Sequence, residues 1–427
     1  MQLDSASKEQ LSQWEAELSV DYAQIKNQNL SLDLTRGKPS SQQLNLADAL
    51  DGILEGNYRA LDGTDTRNYG GLDGIAEARE LGAAILGLQP QQVLAGGNSS
   101  LTIMHQAISF AYLFGPNGQG SAWKDEADIK FLCPVPGYDR HFAICEEFGI
   151  HMIPVTMTEH GPDMDQVERL IADDPSIKGI WCVPKYSNPT GIIYSAETVQ
   201  RIAKLGHIAA ANFRVFWDNA YAVHDLVDNP ETLTNIMDAC VEFGTEDSVL
   251  QFASTSKITH AGSGIAFLGA STNNLKVFKQ HLGMATIGPD KVNQLRHMRL
   301  IPDFAALQDL MKQHAALLKP RFDSVLKHLE ESFADNGLGS WQTPQGGYFV
   351  SFDALPGLAK EIVRLAGDAG VKLTPAGATF PYGNDPQDRN IRLAPSFPSV
   401  EDVDATMKVF VTCVKLASVR QQLASLS

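Results

Sequence analysis

The chain is poor in cysteine, in positive charge and in long apolar runs. Its 427 residues include 5 cysteines, Cys133, Cys145, Cys182, Cys240 and Cys413, widely spaced and with no Cys-x-x-Cys pair. An odd, scattered set of thiols argues against a disulfide framework and against a cysteine zinc site, so all five are expected to be reduced and mostly in the core, with no metal. Lysine and arginine number 34 against 50 aspartates and glutamates, a formal charge of −16. That balance favours solubility and excludes the basic stripe that a nucleic-acid surface needs. Nowhere do about 18 apolar residues run together, so no membrane span is expected. The opening Met1-Gln2-Leu3-Asp4-Ser5 lacks the charged-then-apolar pattern of a secretion signal, and the cytoplasm is the expected location. There is no internal repeat and no low-complexity linker.

What is present suits a large folded enzyme. With 44% hydrophobic residues the chain can bury a large core, and its length predicts two or more lobes. Strand-like runs at 93–95, 129–133, 151–157, 177–183, 213–217, 249–253 and 264–270 alternate with helix-like segments. That alternation predicts an α/β fold, a three-layer α/β/α large domain around a mostly parallel seven-stranded sheet. A helix is expected over 8–26. After about Arg299 the pattern changes to two long helices, 304–318 and 320–333, followed by short strands near 347–352 and 391–394. A large domain over 48–300 and a smaller α+β domain built from 1–47 and 301–427 fit this pattern.

The chemistry gathers at predicted strand ends. Ser254-Thr255-Ser256-Lys257 follows one apolar run, and Asp218-Asn219-Ala220-Tyr221 follows another, with Asp218 39 positions before Lys257. Asn188, in Tyr186-Ser187-Asn188-Pro189-Thr190-Gly191, lies 30 positions before Asp218 in a turn marked by proline and glycine. Such residues can converge on the crevice at the carboxyl ends of an open sheet. A lysine amine, a strand-end carboxylate and neighbouring hydrogen-bond donors are what pyridoxal 5′-phosphate requires for covalent attachment, for its ring nitrogen and for its ring oxygen. Val93-Leu94-Ala95 runs into Gly96-Gly97-Asn98-Ser99-Ser100 and then a helical stretch, so exposed amides and hydroxyls face outward where an anion could bind. Asn98 or Ser99 could equally serve as an ordinary helix cap. Lys185, ahead of the Asn-Pro turn and without hydroxyl neighbours, is expected to be solvated.

At these residues, from Gly37 to Arg392, the chain resembles the class I and II aminotransferases, pyridoxal-phosphate enzymes of fold type I, and within them a divergent bacterial group of aspartate aminotransferases. The resemblance implies that Lys257 carries the cofactor and moves the substrate proton, that Asp218 serves the ring nitrogen, and that Asn188 and Tyr221 serve the ring oxygen. It implies that Tyr138, in Pro134-Val135-Pro136-Gly137-Tyr138, stacks on the ring, and that Asn98, Ser99, Ser100, Ser254 and Ser256 hold the phosphate. Arg392 and Gly37, with Asn188, are implied at the substrate α-carboxylate. Tyr69 is implied to reach the phosphate of a neighbouring subunit, which would make the enzyme a homodimer with shared active sites. The implied substrates are an amino acid, aspartate foremost, and the keto acid 2-oxoglutarate.

One departure stands out. The arginine that the family places seven or eight residues after the lysine is replaced by Gly264 and Ile265. His260 and Ser263 are the nearby candidates to take over its phosphate. For a distal substrate carboxylate the candidates are Arg36, Lys38, Arg296 and Arg299, while Arg389 is expected to be a surface charge. Two other functions share the frame: a C–S β-lyase on the same cofactor, or an aminotransferase for aromatic or other amino acids. A non-catalytic regulator of this fold would need a basic winged-helix segment, which this acidic chain does not supply.

Overall fold

The computed structural model describes residues 2–3 and 5–426. Its strands are β1 (Leu32–Leu34), β2 (Val93–Ala95), β3 (Lys130–Val135), β4 (His151–Thr158), β5 (Gly161–Pro162), β6 (Ile177–Cys182), β7 (Arg214–Asp218), β8 (Val249–Ser254), β9 (Ala266–Ala270), β10 (Gly339–Trp341), β11 (Val350–Ala354), β12 (Val371–Leu373) and β13 (Asn390–Leu393). The large sheet has the order β2-β9-β8-β7-β6-β3-β4-β5. All seven expected strands are in it. The two-residue β5 adds an eighth at the edge, antiparallel to β4, and is too short to leave a hydrophobic pattern in the sequence. Strands β4, β3, β6, β7 and β8 run parallel, and β9 is antiparallel to both neighbours.

Continuous apolar runs mark strands covered on both faces. β6 and β7 are buried at every position. One face packs Phe131, Trp181, Phe216 and Phe252 with Ile103 and Ile108 of helix Ser100–Phe114. The other packs Ile180, Val215 and Trp217 with Val199 and Ile202 of helix Ala196–Lys204.

A second core joins the two ends of the chain. Leu11 and Tyr22 of helix Lys8–Lys26 pack with Phe352 of β11 and with Val403, Met407 and Phe410 of helix Val400–Ser425. There β1 pairs with β12, and β10-β11-β13 form an antiparallel sheet. The two helices expected either side of residue 319 are one, Phe304–Phe333, with Pro320 inside it. Proline removes one ladder hydrogen bond, but the buried stripe continues through Leu318, Phe322, Val325 and Leu329, and burial on one face outweighs the lost bond. The helix spans both cores: Leu307, Leu310 and Met311 pack with residues of the large lobe, Leu318 onward with the small one.

Candidate active site

Because β3, β6, β7 and β8 are parallel, their carboxyl ends open on one edge. In register, Trp217 lies beside Cys182, and Asp218 beside Phe252. The segments that follow these strands therefore deliver Tyr138, Asn188, Asp218 with Tyr221, and Lys257 side by side. The loop after β2 joins them, for Gly96 and Gly97 exchange backbone hydrogen bonds with Ala266 of β9.

Asp218 is 3% exposed. Its Oδ2 meets His141 Nε2 at 2.9 Å, while Oδ1 is buried with no hydrogen-bond partner. His141 sits on helix Asp139–Glu147, stacked on Trp181 at 4.1 Å between ring centroids and with Tyr138 at its edge. Sequence reading missed His141. It lies 77 positions from Asp218, and only a histidine three residues past Tyr138 could have hinted at it. An unpaired carboxylate oxygen in this setting is costly unless a donor is supplied.

Lys257 is half-buried, with Nζ 4.9 Å from the centre of the Tyr221 ring. Burial lowers its pKa, and the charge of Asp218 opposes this. Tyr221 is raised well above the usual phenol value, chiefly by burial, and Tyr138 is pushed up to about 12 by burial, then by Asp218 and Asp139. Both phenols are protonated donors at neutral pH.

The hydroxyl cluster is bound to the loop after β2. Ser256 Oγ donates to the Asn98 carbonyl at 2.9 Å, Ser254 Oγ to Ser256 Oγ at 3.1 Å, and Asn98 Nδ2 to the Gly262 carbonyl at 3.0 Å. Ser99 occupies the N-cap position of helix Ser100–Phe114, yet its side chain makes no capping hydrogen bond. Neither position of the absent arginine could hold one. A Cβ on Gly264 would lie 2.8 Å from Thr255 Oγ1, and Ile265 is fully buried. His260 faces Asp48 at 3.6 Å instead, and the Ser263 carbonyl accepts from Asn293.

Arg392 is buried in β13. Its Nη1 donates to Asp139 Oδ1 at 3.1 Å and to Asn188 Oδ1 at 3.3 Å, its guanidinium lies over Phe349 at 4.9 Å, and its Nε is buried without a partner. Gly37 faces the same ring. A Cβ there would come within 2.4 Å of Phe349, so any side chain would have to displace that ring, and the position is more than a turn glycine. Asp139 is a second residue that sequence reading did not single out.

Lys185 is a correction. It is buried and paired with Asp225 at 2.9 Å, because the Asn-Pro turn folds back over the sheet edge and Asp225 arrives from the loop after β7. Arg389 is half-buried, with Nη1 donating to Gln387. Arg36, Lys38, Arg296 and Arg299 are all exposed, Lys38 over the Phe397 ring and Arg299 donating to the Arg59 carbonyl. Tyr69 is 85% exposed. All five cysteines are buried and free. Among the described residues no group of His, Cys, Asp and Glu could hold a metal ion, and no helix is long and apolar enough to cross a membrane.

The chain is similar to known proteins over almost its whole length. The family model for aspartate amino-transferase matches residues 6–425. An aspartate aminotransferase of Corynebacterium glutamicum is 46% identical over 417 residues, 97% of this chain and 96% of that one. A crystal structure of an aspartate transaminase from the same organism superposes with a TM-score of 0.96 at 45% identity, covering 99% of each chain. An α-aminoadipate aminotransferase of Thermus thermophilus, in complex with N-(5′-phosphopyridoxyl)-L-leucine, shares the fold at 20% identity, with a TM-score of 0.73 over 93% of this chain and 94% of that one. The family model spans the convergent site and both lobes, and the chain is an aminotransferase belonging to the aspartate amino-transferase family.

Proposed function

We propose that this aminotransferase uses pyridoxal 5′-phosphate to move the amino group of an L-amino acid, aspartate foremost, to 2-oxoglutarate in a ping-pong cycle. The observation that carries the cofactor is the buried Asp218 Oδ1, which lacks a donor a short way from a half-buried, pKa-lowered lysine. A protonated ring nitrogen is the donor such an oxygen calls for, so the residues fit the group. Pyridoxal phosphate, when bound, supplies the electron sink that makes an amino-acid Cα–H acidic.

Every other part is played by the chain. Asp218, oriented by His141, would accept from a protonated ring nitrogen. Tyr138 would cover a ring face, and Asn188 and Tyr221 would donate to the ring oxygen. The amides and side chains of Asn98, Ser99 and Ser100, with Ser254 and Ser256, hold the phosphate through neutral donors. Arg392 takes the substrate α-carboxylate, with Nε as a donor still to be used, and Gly37 leaves room for the Phe349 ring that supports it. Lys257 would hold the cofactor through its amine, and that amine is the base placed to take the proton from the substrate Cα. Its lowered pKa keeps that amine unprotonated nearer to neutral pH.

The exposed Tyr69 suits a reach into a second copy, in a homodimer with shared sites over large domain 48–300 and small domain 1–47 with 301–427. Five free, buried thiols suit the cytoplasm. The relatives' names support aspartate as donor.

The test is a panel of amino donors incubated with and without 2-oxoglutarate. Aspartate is expected to yield glutamate only when the keto acid is present. Pyruvate and ammonia formed from a cysteine conjugate without any acceptor would replace this reading with lyase chemistry.

A further inference from the structure

A buried hydrogen-bonded chain runs behind Lys257 and uses residues that have no part in the reading above. Gln43 is fully buried, and its Oε1 accepts from the Ser40 amide at 3.0 Å. Its Nε2 has two protons and two partners, His314 Nδ1 at 3.2 Å and Tyr348 Oη at 2.9 Å. His314 Nε2 lies 2.8 Å from the Ile258 carbonyl, which can only accept. One tautomer therefore satisfies both ring nitrogens, with the proton on Nε2. Tyr348 Oη, having accepted from Gln43, donates to the Lys257 carbonyl at 3.4 Å. The Tyr348 ring is also 6.0 Å from Lys257 Nζ. Tyr348 thus meets the lysine at both ends, backbone and amine.

The chain ties three distant parts of the sequence to the lysine turn: helix Ser41–Asn45 just after Gly37, helix Phe304–Phe333, and the segment leading into β11. A fully satisfied buried network holds one arrangement, since any displacement strands a polar group away from water. Lysine has a long flexible stem, and a proton carrier misplaced by about 1 Å can lose on the order of a hundredfold in rate. The groups around the amine are Tyr221, Tyr348, His224 and Asp218. Of these, Tyr348 reaches the lysine backbone through its hydroxyl as well as facing the amine with its ring.

We infer that Tyr348, held by Gln43 and His314, is a positioning residue for Lys257: its hydroxyl fixes the Lys257 peptide, and its ring bounds the space in which the amine moves. This rests on the reading of Lys257 as the cofactor lysine and proton carrier.

The test compares the cofactor-loaded wild type with Tyr348→Phe, which keeps the ring and loses the hydroxyl. In Tyr348→Phe, kcat falls about tenfold while KM for the amino donor stays within about twofold, the pattern of a lost transition-state interaction. The midpoint of the pH titration of the visible absorbance band moves by about half a unit or more, as the loosened lysine relaxes between its charged and neutral forms. Gln43→Met, which leaves Tyr348 in place without its donor, moves both readings the same way by less. Unchanged kcat and midpoint in Tyr348→Phe, or a change in KM alone, overturns the inference. Should Tyr348→Phe not accumulate folded, Gln43→Met decides by the same two readings. A wild type with no visible band in the presence of pyridoxal phosphate overturns the underlying reading as well, and does so before any variant is compared.

Discussion

His224 shows at residue scale what burial beside the lysine costs. Both of its ring nitrogens are buried without a hydrogen-bond partner, and its pKa is lowered to about 3 by burial and then by the Lys257 charge. The ordinary value is 6.5, so between about pH 3 and 6.5 the unfolded chain binds a proton that the folded chain refuses. Stability therefore rises with pH across that window and falls on acidification. At pH 5 this one group accounts for about 2 kcal/mol of lost stability relative to pH 7. His224→Gln is expected to show a smaller difference between urea midpoints at pH 7 and pH 5 than the wild type. Equal differences in the two proteins would rule His224 out as a source of acid sensitivity.

At the scale of the element, helix Asp139–Glu147 is the part of the site that was least legible beforehand. Tyr138 was recognisable because it follows a strand and a Pro-Gly turn. Asp139 and His141 were not, since their partners, Arg392 and Asp218, lie 253 and 77 positions away. Only the first turn of that helix, beside the ends of β7 and β13, brings them there. The long helix Phe304–Phe333 misled for the opposite reason. Pro320 is a strong local breaker, and the burial that overrides it is visible only in three dimensions. The strand ends were legible because parallel strands delivering Asn188, Asp218 and Lys257 are read in order along the chain.

The helix carries its own prediction. His141→Leu leaves Asp218 buried with both oxygens unpartnered, which raises its affinity for a proton and weakens its hold on a ring N–H. Dialysis against buffer is expected to strip pyridoxal phosphate from this variant at least about tenfold faster than from the wild type, matching the loss of roughly one strong hydrogen bond. Retention equal to wild type would show that His141 does not orient Asp218.

For the whole molecule, the loop that follows Lys257 shows how a departure from a pattern is absorbed. Gly264 and Ile265 cannot accommodate an arginine, the first for lack of space beside Thr255 and the second because it is enclosed in the core. The lysine loop is instead linked to the loop after β2 by Ser256 and Asn98. Fold class and the ordering of the site along the chain were readable from periodicity and spacing. The links between distant segments, His141 to Asp218 and Gln43 to Tyr348 to Lys257, depend on which lobes pack together, and no local pattern carries that.

The central claim is that Lys257, Asp218 and the donors around them form one pyridoxal-phosphate site. The most direct measurement is the absorbance spectrum of the protein with pyridoxal phosphate before and after L-aspartate, beside a Lys257→Ala variant. The account predicts a visible band in the wild type that aspartate converts to a near-ultraviolet one, and no such band in the variant. A visible band of equal strength in Lys257→Ala, or none in the wild type, would contradict it.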